Sequence, residues 1–133
     1  MGTFHKEIQL FNYNDLLAAR KHEMGEEDIR SITVAALVDT GALYCCINEH
    51  IQAYLQCPVI EQIRCQLAHG ISLTYDLVGP VEIRCQGQVS LTRALVLPGN
   101  AEPLLGAIPL EDMRLLVDPA QQQLFPDPNA VRV

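Results

Sequence analysis

The run Ile32-Thr33-Val34-Ala35-Ala36-Leu37-Val38 stops abruptly at Asp39-Thr40-Gly41, and no other feature of the chain restricts its fold as much. A short, β-branched, apolar run with no polar face is too short for a buried helix and predicts a strand covered on both faces. The polar turn behind it sets a carboxylate at the lip of the core, where Gly41 permits close backbone approach. A carboxylate held there is partly desolvated and fixed in direction, which suits acid–base chemistry. The competing reading of the same triplet is a turn aspartate that only accepts backbone hydrogen bonds, so the flanking chain has to decide.

That chain reads as strands punctuated by Gly and Pro. Residues 4–11 alternate after Lys6 and predict a half-buried strand. Good helix formers between Asp15 and about Glu23 predict a short surface helix, capped by Asn14 and stopped near Gly25. Glu26-Glu27-Asp28 lacks the alternating oxygen ligands of a calcium loop and reads as a solvated turn. Asn48 is placed to cap a second helix whose stripe is Ile47, Ile51 and Leu55, closed by Cys57-Pro58. Strands are expected over residues 63–68, 71–78 and 81–85, with His69-Gly70 and Gly79-Pro80 turning two hairpins, and again over residues 88–97. Pro109 opens a short helix. Residues 115–117 form a last clear strand, before a Gln run at 121–123 and a Pro-rich end.

Hydrophobic residues make up 49% of the chain and charged residues 19%, the balance of a folded protein rather than a disordered one. Its 133 residues fit one domain: an N-terminal strand and helix over 1–30, a core over 31–125 and an irregular tail over 126–133. The net charge of -7, with nine Lys and Arg scattered along the chain, leaves no basic surface for phosphates, so no nucleic-acid partner is expected. No apolar run approaches a membrane span, and charge occupies the place of a signal peptide's apolar stretch, which predicts a cytoplasmic protein without a membrane partner. Cys45, Cys46, Cys57, Cys65 and Cys85 form an odd set without a Cys-x-x-Cys spacing, and reduced thiols are expected. A zinc set of Cys65, His69, Cys45 and Cys46 lacks the usual paired spacings. A redox role for adjacent Cys45 and Cys46 stays open against the plainer reading of inert buried thiols.

Three blocks in order give the triplet its context. Ala36-Leu37-Val38-Asp39-Thr40-Gly41-Ala42 is an apolar strand running into Asp-Thr-Gly-Ala; Ala68-His69-Gly70 lies between two strands; Leu104-Leu105-Gly106-Ala107-Ile108-Pro109-Leu110-Glu111 is a later apolar-apolar-Gly segment. Together they resemble the retropepsin-like aspartic proteases, particularly the small bacterial single-domain members, over about two-thirds of the chain. The resemblance implies a mainly β, closed-barrel acid-protease fold with one or two short helices. It further implies that Asp39 is catalytic, that Thr40, Gly41 and Ala42 complete the active loop, that Ala68, His69 and Gly70 form a substrate-covering flap, and that Leu104, Leu105 and Gly106 pass beside the loop. His69 departs from the family's usual Asn or Asp, although His tolerates the positive φ of a tight tip. Ala42 stands where a Ser would hydrogen-bond the carboxylate, and its presence implies activity nearer neutral pH.

Hydrolysis of this kind needs one carboxylate to take a proton from water and a second, protonated one to donate to the scissile carbonyl. This chain holds a single Asp-Thr-Gly, and Asp118 is followed by Pro119-Ala120 rather than the required turn. The second Asp39 is therefore expected from a symmetry mate in a homodimer, the paired edge coming from residues 4–11 or 115–125. The expected function is an aspartic endopeptidase on a peptide or protein substrate, with water as nucleophile and neither cofactor nor metal. The alternative is an inactive homodimeric peptide-binding or assembly module on the same fold.

Overall fold

The computed structural model describes residues 3–133, with Ala68 described by its backbone alone. Strand β1 (Phe4–Asn12) leads through helix α1 (Tyr13–Arg20) and a 3-10 turn (Glu26–Asp28) into β2 (Ser31–Val38). After the Asp39 loop come β3 (Cys45–Asn48), helix α2 (Glu49–Leu55), β4 (Val59–Gln66), β5 (Ser72–Cys85) and β6 (Gln88–Leu97). Short β7 (Leu104–Leu105), helix α3 (Ala107–Asp112), β8 (Leu115–Asp118) and β9 (Gln123–Pro126) complete a mainly β molecule. Among the described residues no helix is long and apolar enough to cross a membrane.

The main sheet runs β1-β2-β7-β3-β6-β5-β4, and a further β1–β5 pairing bends it into a ring. Strand β5 makes this possible by changing partners along one edge. Its residues 72–78 pair with β4, whereas Val81 to Arg84 pair with Asn12 to Gln9 of β1. The exchange falls at Gly79-Pro80, where Pro has no N–H to give a ladder. Register shifts flank it in both neighbouring pairings. Gly79-Pro80 is thus an irregularity inside one long strand rather than the turn that its composition predicts. Beyond it, β4 and the outer half of β5 project from the ring as a hairpin.

The ring encloses Ile8, Leu10, Ile47, Val81, Ile83 and Leu105, all 0–1% exposed. Each such side chain contributes about 1.5–3 kcal/mol by leaving water. Strand β2 departs from the expected burial on both faces: Ala36 and Val38 are buried, but Thr33 and Ala35 face solvent. Its β-branched composition reflects pairing with β1 along its whole length, from Phe4↔Val38 to Phe11↔Ser31, more than double-sided cover.

Asn12, not Asn14, caps α1. It ends β1 fully buried, accepts from the Asp15 N–H at 3.2 Å and donates to the Leu55 carbonyl at 2.8 Å, whereas Asn14 is exposed. Asn48 caps α2 through the Ile51 N–H at 2.9 Å, but Ile47 belongs to β3. That strand pairs in parallel with β6 from Cys45↔Ala94 to Asn48↔Leu97, and this tertiary pairing overrides the helical spacing of Ile47 with Ile51 and Leu55. Helix α3 opens at Ala107 behind Gly106, two residues before Pro109. Strands β8 and β9 form a separate two-stranded sheet, in register from Leu115↔Pro126 to Asp118↔Gln123.

Candidate active site

Asp39 follows directly on β2, whose last residues are clamped on both sides. Phe4 of β1 lies opposite Val38, and β7 runs parallel with Leu37↔Leu104 and Val38↔Leu105. The Asp39 N–H donates to the Leu105 carbonyl at 3.1 Å, so the residue's backbone is still tied to β7 after the strand has ended. Its side chain is fixed locally: Oδ1 accepts the Gly41 N–H at 2.9 Å, while its carbonyl accepts the Ala42 N–H at 3.1 Å. The result is a tight turn in which the half-buried carboxylate is aimed by its own loop.

The Leu104-Leu105-Gly106 segment is the strut of this loop. Beyond the Asp39–Leu105 bond, the Ala107 N–H donates to the Ala42 carbonyl at 2.8 Å and the Ile108 N–H to the Leu43 carbonyl at 2.9 Å. Three backbone bonds thus stitch two segments more than sixty residues apart, and Gly106 sits where they cross. A Cβ on Gly106 would lie 2.2 Å from the Tyr44 carbonyl oxygen and 2.7 Å from that of Ala42, so the crossing admits only glycine. The two blocks, distant in sequence, are one physical unit.

A cavity of about 650 Å³ opens beside the loop, its walls including Gly41, Ala42, Tyr44 and Cys46 on one side and Ile63 and Cys65 of β4 on the other. The outer wall is therefore the projecting hairpin. Arg93 of β6 braces the root of that hairpin: it pairs with Glu61 of β4 and lies 5.9 Å from the Tyr44 ring centroid. At the tip, Ala68, His69 and Gly70 make a single tight turn closed by the Leu67 N–H on the Ile71 carbonyl at 2.7 Å. His69 takes φ 74° and Gly70 φ 76°, both exposed beyond the wall that faces the loop. On the opposite side Thr40 is exposed, and with Thr3, Phe4, Val117 and Pro119 it surrounds a smaller cavity of about 170 Å³ that also touches Asp39. Asp118 is occupied elsewhere, accepting the Gln121 N–H at 3.2 Å in the β8–β9 turn.

The cysteines divide by strand face. Cys45 points into the main core with Cys57 and Cys85, whereas its neighbour Cys46 points to the cleft, where Cys65 packs against the cluster of Cys46, Leu77 and Leu95. Burial pushes the Cys45 thiol up to about 12. It pushes Cys46 up to about 11, with Cys65 and Asp39 adding to the shift, and Cys57 also to about 11. Adjacent Cys45 and Cys46 are therefore neither on one face nor ionised at neutral pH, which removes them as a reactive pair. Among the described residues no three His, Cys, Asp or Glu side chains converge as metal ligands.

The sequence did not single out Tyr44, Ile63 or Arg93, and it offered Cys46 and Cys65 only as members of a zinc set and Cys46 as a redox partner of Cys45. Ile63 and Cys65 carried a readable signal, since they alternate on an expected strand, but which face meets the cleft depends on a register that composition does not encode. No protein-family model and no curated protein matches the chain.

Proposed function

We propose that the chain is one half of a homodimeric, retropepsin-like aspartic endopeptidase in which two copies of Asp39, one from each subunit, activate a water for attack on a peptide bond. The observation that carries this reading is the crossing at Gly106. Three backbone hydrogen bonds and a sterically obligatory glycine fix a loop that holds the Asp39 carboxylate at the smaller cavity and, two and three residues on, lines the larger one with Gly41 and Ala42. A turn aspartate with no further role needs no such strut. The ring-like sheet and the projecting β4–β5 hairpin support a closed-barrel protease fold with a flap, in keeping with the order of the three sequence blocks.

The chemistry follows from pairing. Two carboxylates brought together across a two-fold axis cannot comfortably both ionise, so they share one proton and titrate as a unit. The ionised member takes a proton from water while the protonated member donates to the scissile carbonyl, and their roles exchange as the amine leaves. The Gly41 N–H on Oδ1 keeps each carboxylate oriented, and exposed Thr40 is free to meet its mate across the axis. Gly41 and Ala42 leave room for a substrate backbone between loop and hairpin.

Strand pairing bears on the dimer edge. Strand β1 is committed to β2 along its length and to β5 over residues 9–12, whereas β8 and β9 pair only with each other. Their opposed Leu116 and Phe125 are 40% and 41% exposed, an apolar face that a second copy would cover. The test is cleavage of a mixed peptide library by the wild type and by Asp39→Asn, each checked for dimer mass. Cleavage that disappears in an equally dimeric Asp39→Asn is the expected outcome. A folded dimer that binds peptides but cuts none from acidic to neutral pH would replace the protease with a peptide-binding module.

A further inference from the structure

We propose that Cys46 and Cys65 form a redox-modifiable thiol pair, and that its oxidation to a disulfide ties the projecting hairpin down onto the floor of the cleft. Of the five free cysteines, Cys45, Cys57 and Cys85 belong to the main core inside the ring. Only Cys46 and Cys65 line the 650 Å³ cavity, one from each wall. Cys46 stands on β3 at the strut itself, opposite Leu104 of β7 and Leu95 of β6. Cys65 stands on β4, opposite Leu73, and packs against the cluster that contains Cys46. The two thiols thus belong to one apolar cluster although β6 and β5 separate their strands in the sheet.

The order of reaction follows from exposure. Cys65 is half-buried at the mouth of the cavity, while Cys46 is 5% exposed and its S–H is directed at the Tyr44 carbonyl, 3.8 Å away. Burial holds Cys46 protonated, so Cys65 is the attacking thiol and Cys46 the resolving one. The Cys65 thiolate attacks a low-molecular-weight disulfide such as oxidised glutathione, forming a mixed disulfide and releasing one thiol. Cys46 then attacks the Cys65 sulfur, its proton passing to the departing thiolate, which leaves as the second thiol. Two protein S–H groups become one S–S bond, and the external disulfide is reduced to two thiols. A disulfide needs its Cα atoms within about 7 Å. The hairpin can supply that approach by bending inward, because β4 pairs with β5 alone and most of its residues are exposed.

The cross-link stands independently of any catalytic role; that it closes a working active site rests on the proteolytic reading above. The experiment treats the native full chain, Cys65→Ser, Cys46→Ser and Cys46→Ala with oxidised glutathione, followed by intact mass, non-reducing peptide mapping and peptide cleavage. The wild type is expected to lose about 2 Da with Cys46 joined to Cys65 in one chain. Cys65→Ser is expected to stay unmodified, and whichever Cys46 variant folds is expected to stop at a glutathione adduct on Cys65. Cleavage by the oxidised wild type should fall at least tenfold and return with dithiothreitol, while Cys65→Ser, whatever its starting rate, should cleave equally before and after the oxidant. An adduct that persists on Cys65 of the wild type, a link between two chains, or a link through Cys45, Cys57 or Cys85 would overturn the thiol pair. Unchanged cleavage by fully cross-linked protein would overturn closure of the cleft. A Cys46–Cys65 link in a protein that cleaves nothing, oxidised or reduced, would leave the pair standing and refute the protease.

Discussion

Replacing Gly106 with Ala tests the strut most severely, because the backbone there is ordinary and only space is lacking. Gly106 has φ -92°, which alanine adopts freely, so no conformational penalty clouds the result. The added Cβ would meet the Tyr44 carbonyl oxygen at 2.2 Å and the Ala42 oxygen at 2.7 Å. Ordinary C···O contacts begin near about 3.3 Å, so the two segments would have to part by roughly 1 Å. Both obstacles are backbone atoms and cannot swing away. Parting them weakens the Asp39–Leu105, Ala107–Ala42 and Ile108–Leu43 hydrogen bonds together. At about 0.5–1.5 kcal/mol for each bond, the loss comes to roughly 2–4 kcal/mol. With a urea m-value of about 2 kcal/mol per M, the unfolding midpoint should fall by about 1–2 M. Gly87→Ala is the control: Gly87 has φ +78° and open space for 4 Å around the place a Cβ would take, so it should lose only about 1 kcal/mol to backbone strain. A Gly106→Ala midpoint no lower than that of Gly87→Ala would refute the crossing geometry.

Two further perturbations probe other parts of the account. The Arg30 guanidinium, hydrogen-bonded at 2.8 and 2.9 Å, holds the buried Asp15 carboxyl below its usual range. Its contribution is complete above the unfolded value of about 3.9 and is lost as pH falls through the lower folded value, so Asp15→Asn should lower stability by about 2 kcal/mol at pH 7 and converge on the wild type in strong acid. An equal deficit at all pH values in urea titrations would contradict this. Phe125→Lys, on the exposed face of β9, should shift the sedimentation profile to monomer and abolish cleavage while changing the protomer's stability by less than about 0.5 kcal/mol. A dimer that survives unchanged would assign the interface elsewhere.

The Asp39 loop was legible in the sequence because an apolar run ending in a polar turn is a local signal, complete within ten residues. The same holds for β1, whose alternation from Ile8 onward is intrinsic, and for the Asn48 cap. What pattern alone missed depends on partners distant in the chain. Ile47 carries helical spacing with Ile51 and Leu55, yet β6 draws it into β3. Gly79-Pro80 has the composition of a turn, yet it marks the point where β5 exchanges β4 for β1. Asn12 outcompetes Asn14 as a cap because the Leu55 carbonyl, contributed by another helix, gives its amide a second partner. The closeness of Gly106 to the Asp39 loop came from the resemblance and not from spacing, and bringing Cys65 and Cys46 to one cavity needs the curl of a sheet in which two strands lie between theirs.

The most direct test of the shared dyad is to titrate wild-type protein, held at constant concentration under exchanging conditions, with Asp39→Asn. If each active site takes one aspartate from each subunit, an equimolar addition should cut cleavage to about half and a threefold excess to about a quarter, as wild-type subunits are diverted into inert mixed dimers. Cleavage that stays constant, with mixed dimers confirmed by mass, would mean that one Asp39 suffices and would contradict the account.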